Sequence, residues 1–215
     1  MDFSEHLRAV VQPQWTAMLA HPFLREVADG TLPAGRFETW LRQDYLFVRE
    51  DIGFIGCLLA RAPLHLRRML GDFIAALHGE LDLFASMAKE LGVSLESIEP
   101  APVCHAYNMF LLATGHTCSF AESFTVLYGA EKAYGESWSQ VKKLQTQPSP
   151  YQRFIDHWGS DAFAAWVQQL AQALDTLAAD CGTAERARME DLFRLTARYE
   201  YLFWEMARTG AGWPV

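Results

Sequence analysis

The spacing of the apolar residues restricts this chain more than any other feature. From Phe3 onward they recur every three or four residues, and alternation with a period of two is absent over any strand's length. That spacing gathers apolar side chains on one face of an α-helix and gives a sheet no alternating face to bury. The chain therefore reads as all-α. Helices are expected at about 3–20, in a short segment ending at Gly30, and at 33–62. The next runs from Pro63 to the glycine stop in "KELGVS", followed by 103–115, 119–147, 150–157, 160–181 and 184–208. "QPSP" and "CGT" punctuate the later ones. No composition shift, repeat or low-complexity linker intervenes, so residues 1–215 read as one helical bundle with a core large enough to hold a pocket.

The composition excludes several classes of function. A hydrophobic fraction of 51% with 13% aromatic residues requires a packed core, and so excludes a disordered chain. A net charge of -8 with scattered basic residues offers little to a phosphate backbone, so no nucleic-acid partner is expected. The apolar run in "GFIGCLLARAP" stops after eight residues, well short of the roughly 18 of a membrane span, and no membrane partner is expected. "MDFSEHLRAVVQPQW" lacks the basic-then-apolar pattern of a secretory signal. The four cysteines, Cys57, Cys104, Cys118 and Cys181, form no Cys-x-x-Cys and no close pair. They read as buried, inert thiols of a reducing cytoplasm.

Three helices each carry one acid on an otherwise apolar stripe. Asp44 lies in line with Phe37, Trp40, Leu41, Val48, Ile52 and Ile55. Glu131 lies in line with Phe120, Phe124, Leu127, Tyr134 and Trp138. Glu200 lies in line with Met189, Phe193, Thr196, Phe203 and Trp204. A carboxylate withdrawn from water needs a partner or a shifted pKa. An arginine or lysine from a neighbouring helix would answer that need for any one of them. Three acids converging among aromatic rings would instead form a cavity suited to a flat, basic, nitrogen-rich ligand. Gly129 and Gly135 flank Glu131 at a cost of about 1 kcal/mol each relative to alanine, which points to close approach by a ligand or, more commonly, another helix.

Other chemistries find less support. No histidine forms the Glu-x-x-His pairs of an iron-carboxylate bundle, and neither metal nor other cofactor is expected, although haem would need only one histidine. Phosphate-binding glycine loops and Gly-x-Ser-x-Gly are absent. Cys118 precedes Glu131 by thirteen residues, about 19 Å along a helix, too far to act at the same point.

"RFETWLRQDYLFV", "LHGELDLFASMAKELGV", "SFAESFTVLYGAEKAYGESW", "YQRFIDHWGSDAFAAWVQQL" and "ARYEYLFWEMA" together resemble the TenA (thiaminase II) family, in the family's order and over most of the chain. Its most specific parts are the Gln43–Asp44 pair and the run from Tyr199 to Trp204. The resemblance implies a haem-oxygenase-like helical bundle, cytoplasmic and homodimeric or homotetrameric, that salvages the pyrimidine half of degraded thiamin. The implied substrate is a small-molecule aminopyrimidine. An aminomethyl or formylaminomethyl derivative would be converted to the hydroxymethyl or amino form. By the same resemblance Asp44 holds the aminopyrimidine, Glu200 sits at the reacting carbon, and Tyr107, Tyr134 and Phe203 line the pocket. Phe47 and Trp158 stand where many members carry tyrosine. Members of the cysteine type carry a nucleophilic cysteine four residues before the tyrosine matching Tyr134; here Ala130 stands there, followed by Glu131. The chain resembles the cysteine-less branch, in which glutamate chemistry replaces the thiol. The rivals are a non-catalytic pyrimidine-binding or regulatory protein and a redox enzyme on the same bundle.

Overall fold

The structure, a computed structural model, describes residues 1–214. Among these the chain forms ten helices and no strand. They are α1 (Phe3–Val10), α2 (Gln12–Leu19), α3 (Pro22–Ala28), α4 (Ala34–Arg61), α5 (Leu64–Leu91), α6 (Pro102–Thr117), α7 (Phe120–Leu144), α8 (Gln152–Trp158), α9 (Asp161–Ala179) and α10 (Thr183–Thr209). The expected helix at 3–20 is in fact two. Pro13 can occupy the first turn of a helix, where its missing N–H is not needed, but in mid-helix it would remove a backbone bond. The chain breaks at Val11 (φ -101°, ψ 16°), and Pro13 falls in the first turn of α2. Gly92, in the left-handed conformation at φ 69°, ends α5 as its sequence position predicts.

Two compact units can be distinguished. The first comprises Met1–Pro33 with Phe124–Glu205, and the second Ala34–Ser123 with the residues from Met206 onward. In the second unit α4 packs against both α5 and α6. Arg61, the last residue of α4, closes that packing. Its guanidinium donates to the carbonyls of Gly115 and Cys118, the latter at 2.7 Å, and to the Ser123 hydroxyl at 3.3 Å. A cation at these carbonyls satisfies acceptors that the end of α6 leaves open.

In the first unit, the section of α7 from Phe124 to Gly129 is buried on every side. Trp15 of α2 donates to Glu136 of α7 at 2.6 Å and stacks on Phe193 of α10 with centroids 5.6 Å apart. Arg8 covers the other part of this contact, 4.7 Å from the Trp15 ring. His21 accepts the Phe23 amide proton on Nδ1, which makes Nε2 the proton-bearing nitrogen that faces Glu205 at 3.1 Å.

The α7 glycines serve helix packing. A Cβ on Gly129 would stand 3.1 Å from Phe193 and Thr196, and one on Gly135 would stand 3.0 Å from Phe163. The thiols depart from expectation: all four are free, but only Cys104 is buried, and Cys57, Cys118 and Cys181 are partly exposed. Cys57 lies at the edge of the apolar face of α4, where spacing alone does not separate core from rim, and Cys118 and Cys181 lie just beyond the ends of α6 and α9.

The two glycines should respond differently to alanine. Phe193 and Thr196 are fully buried, whereas Phe163 is partly exposed and free to yield. In urea unfolding, Gly129→Ala is expected to lose about 1 kcal/mol, overpacking outweighing helix propensity. Gly135→Ala is expected to be neutral or slightly stabilising.

Candidate active site

Three of the sequence-predicted residues belong to the second unit. Asp44, on α4, is 1% exposed. Phe47, one turn further along α4, meets Tyr107 of α6 with ring centroids 4.8 Å apart and a tilt of 44°. Cys104, one turn before Asn108 on α6, has its thiol pushed up to about 12, by burial first and then by the charge of Asp44. That thiol donates to the Gln43 carbonyl at 3.4 Å and is no nucleophile at neutral pH.

Gln43, named in the sequence but given no role there, clamps this part of the unit. Its side-chain Nε2 donates to the Glu99 carbonyl at 3.0 Å, and its Oε1 accepts the Ala101 amide at 2.7 Å. Both contacts lie just before α6 begins at Pro102, so one buried amide fixes the helix that carries Tyr107. Sequence shows a glutamine beside an aspartate; only the fold brings the chain 56 and 58 residues away onto it.

Asp51 is a residue that sequence reasoning missed. It follows Asp44 by seven residues and so shares its face of α4, a spacing that could have identified it. Asp51 is 6% exposed and lies within electrostatic reach of Glu80, a buried carboxyl on α5. Burial first, and the charge of Glu80 second, raise the Asp51 pKa from 3.8 to about 7.

The remaining predicted residues belong to the first unit. Tyr134 of α7 stacks on Trp204 at 5.7 Å and 14°, and presents its edge to Trp158 of α8 at 5.1 Å and 83°. Trp158 in turn stacks on Trp138 at 5.5 Å. Phe203 is buried beside Trp204 on α10, and Glu200, one turn earlier, is 4% exposed. Glu131 is half-buried, and its carboxylate accepts a hydrogen bond from Trp166 of α9 at 2.8 Å. Trp166 was not among the expected residues, since nothing in the sequence links positions 35 residues apart. Its indole fixes one Glu131 oxygen. Within this unit the aromatic residues Tyr134 and Trp158 are in contact.

The family model described as "TENA/THI-4/PQQC family" matches residues 8–210. The chain is 30% identical to a protein of Halalkalibacterium halodurans named aminopyrimidine aminohydrolase, over 99% of this chain and 98% of that protein. It superimposes on the crystal structure of a TenA homologue from Pyrococcus furiosus with a TM-score of 0.93 and 37% identity, covering 95% of this chain and 99% of the other. A domain from Shewanella denitrificans described as having a heme oxygenase-like fold matches with a TM-score of 0.71 at 20% identity, over 96% and 95% of the two chains. That last likeness establishes the shared fold.

Two measurements probe the second unit. Gln43→Leu strips partners from a carbonyl and an amide and should lower unfolding stability by roughly 2–4 kcal/mol in urea titrations. Asp51 should give stability a pH slope of known sign. Its pKa is raised on folding, so both states are protonated below about pH 4 and no penalty arises. Between pH 4 and 7 the unfolded chain ionises first, and stability falls as pH rises, by roughly 4 kcal/mol in all. Asp51→Asn should abolish this decline, its advantage over the wild type being small at pH 4 and largest at pH 8.

Proposed function

The chain belongs to the TENA/THI-4/PQQC family, and from that premise we propose that it is an aminopyrimidine aminohydrolase of thiamin salvage that works without a nucleophilic cysteine. The observation that carries this reading is the burial of Asp44 and Glu200, 1% and 4% exposed, on helices whose neighbouring side chains are aromatic. A protonated aminopyrimidine makes charge-assisted hydrogen bonds to carboxylates placed among aromatic rings in this way. A full-length relationship to a protein named for this activity supports it.

In the proposed reaction Asp44 makes a charge-assisted hydrogen bond to the aminopyrimidine and favours the ring-protonated form. Phe47, Tyr107, Tyr134, Trp158 and Phe203 supply faces and edges for the flat ring. Glu131 and Glu200 divide two tasks: one takes a proton from the attacking water, the other delivers a proton to the departing nitrogen. A C–O bond forms at the exocyclic carbon, the C–N bond breaks, and ammonia leaves. With a formylamino substrate the same pair would direct water to the formyl carbon, giving formate and the free amine. Ala130 occupies the position of the family's cysteine, so the acid–base work falls to carboxylates. Trp166 holds Glu131 in place, a role the indole proton fills without adding charge. A cytoplasmic homodimer or homotetramer belongs to the same proposal.

Turnover of aminomethyl and formylaminomethyl pyrimidine tests the reading. Glu131→Gln, Glu200→Gln and Asp44→Asn should each lower kcat/KM by about 10²–10⁴-fold, the range of a positioned proton-transfer group. Tight pyrimidine binding with no turnover by the wild type would favour a binding protein instead.

A further inference from the structure

We propose that the cavity bounded by α1, α2, α3 and α7 in the first unit binds a phosphate group, either free phosphate or the phosphate of a small monoester. The cavity has a volume of about 340 Å³. Its polar lining is Arg8, Gln12, Thr16, His21, Arg25 and Gln140, and none of the residues lining it is acidic. In a chain with a net charge of -8, two arginines around a hollow without a carboxylate reverse the local sign of charge and favour an anionic guest.

The hydrogen bonds along this wall leave donors unused. Arg8 Nη1 donates to Gln12 Oε1 at 2.8 Å, and Gln12 Nε2 donates to Thr16 Oγ1 at 3.0 Å. This relay engages the side-chain acceptors and ends at the Thr16 hydroxyl, whose proton has no acceptor among the described residues. Gln140 is half-buried, and its side-chain amide has no partner among the described residues. His21 forms part of the wall but offers no donor, since Nδ1 accepts the Phe23 amide proton and Nε2 faces Glu205.

Both lining arginines are short of counter-charge. Arg25 pairs with no acid among the described residues. Arg8 lies 3.7 Å from Glu136, but Lys132 holds the same carboxylate at 2.9 Å, so one acid faces two bases. Burial keeps the Arg8 pKa below its ordinary value despite Glu136, as for a cation with too little negative charge beside it. A phosphate dianion supplies that charge, and its several oxygens accept from guanidinium, amide and hydroxyl groups together. Leu19, Ala20 and Leu144 complete the wall with an apolar stretch that suits the organic group of a monoester. None of these residues takes part in the proposed aminohydrolase reaction, so the site stands or falls apart from it.

The test is calorimetric titration with inorganic phosphate, phenyl phosphate and acetate at about pH 7.5, where a phosphate monoester is close to a dianion. The wild type is expected to bind both phosphates more tightly than acetate. Arg25→Gln should weaken phosphate binding about tenfold, as for loss of one charge-assisted contact, and Thr16→Val should weaken it less. Arg25 is exposed and unpaired, so its replacement leaves the fold intact. Lys89→Gln, which removes an exposed charge on α5, should leave the affinity unchanged. Tighter binding of phenyl phosphate than of inorganic phosphate would assign the site to a monoester, and equal affinities to free phosphate. Absence of saturable binding, acetate bound as tightly as phosphate, or equal weakening by Arg25→Gln and Lys89→Gln would each overturn the proposal. The wild-type preference for phosphate over acetate is read without any variant.

Discussion

The cost of taking a carboxylate out of water governs this molecule. Asp44, Asp51, Glu80 and Glu200 are all buried on helices whose other inward residues are apolar or aromatic. Taking such a charge out of water costs several kcal/mol of hydration, which hydrogen bonds and neighbouring charges have to offset. The upward shift of Asp51 is that loss expressed as a protonation state. Surface acids at the same sequence density would have carried no such information.

The aromatic framework explains how these groups are held. Rings from α2, α7, α8 and α10 meet edge-on and face-on in the first unit, and each indole or phenol brings rigid area with few rotatable bonds. Gly129 lets the side chains of Phe193 and Thr196 of α10 lie directly on the backbone of α7, which brings the helix bearing Glu131 and the helix bearing Glu200 into close packing. In the second unit the equivalent precision comes from hydrogen bonds: Gln43 at the start of α6 and Arg61 at its end fix that helix at both termini.

Much of this was legible beforehand. The 3.6-residue period gave eight of the helical segments nearly as they stand, and Gly92 and the prolines marked their ends. The single failure of type, one helix in place of α1 and α2, arose because apolar spacing continues through Val11 and conceals the demand Pro13 makes on the backbone. For the site, stripe position identified Asp44 and Glu200 as buried acids before any fold was known. It passed over Asp51, since that stripe was followed to Ile52. It also could not find Trp166, whose contact with Glu131 joins separate helices.

The sequence by itself determined that the chain is helical, where its helices stop, and that carboxylates occupy faces meant for apolar residues. Those properties are local, set by backbone sterics and by the angle between successive side chains. Only the tertiary structure decided which groups answer them: an indole for Glu131, a second acid for Asp51, backbone groups near residue 100 for Gln43. A partner's identity depends on which helices pack and in what register. That register is fixed by side-chain fit across distant segments, a property that no stretch of sequence carries alone.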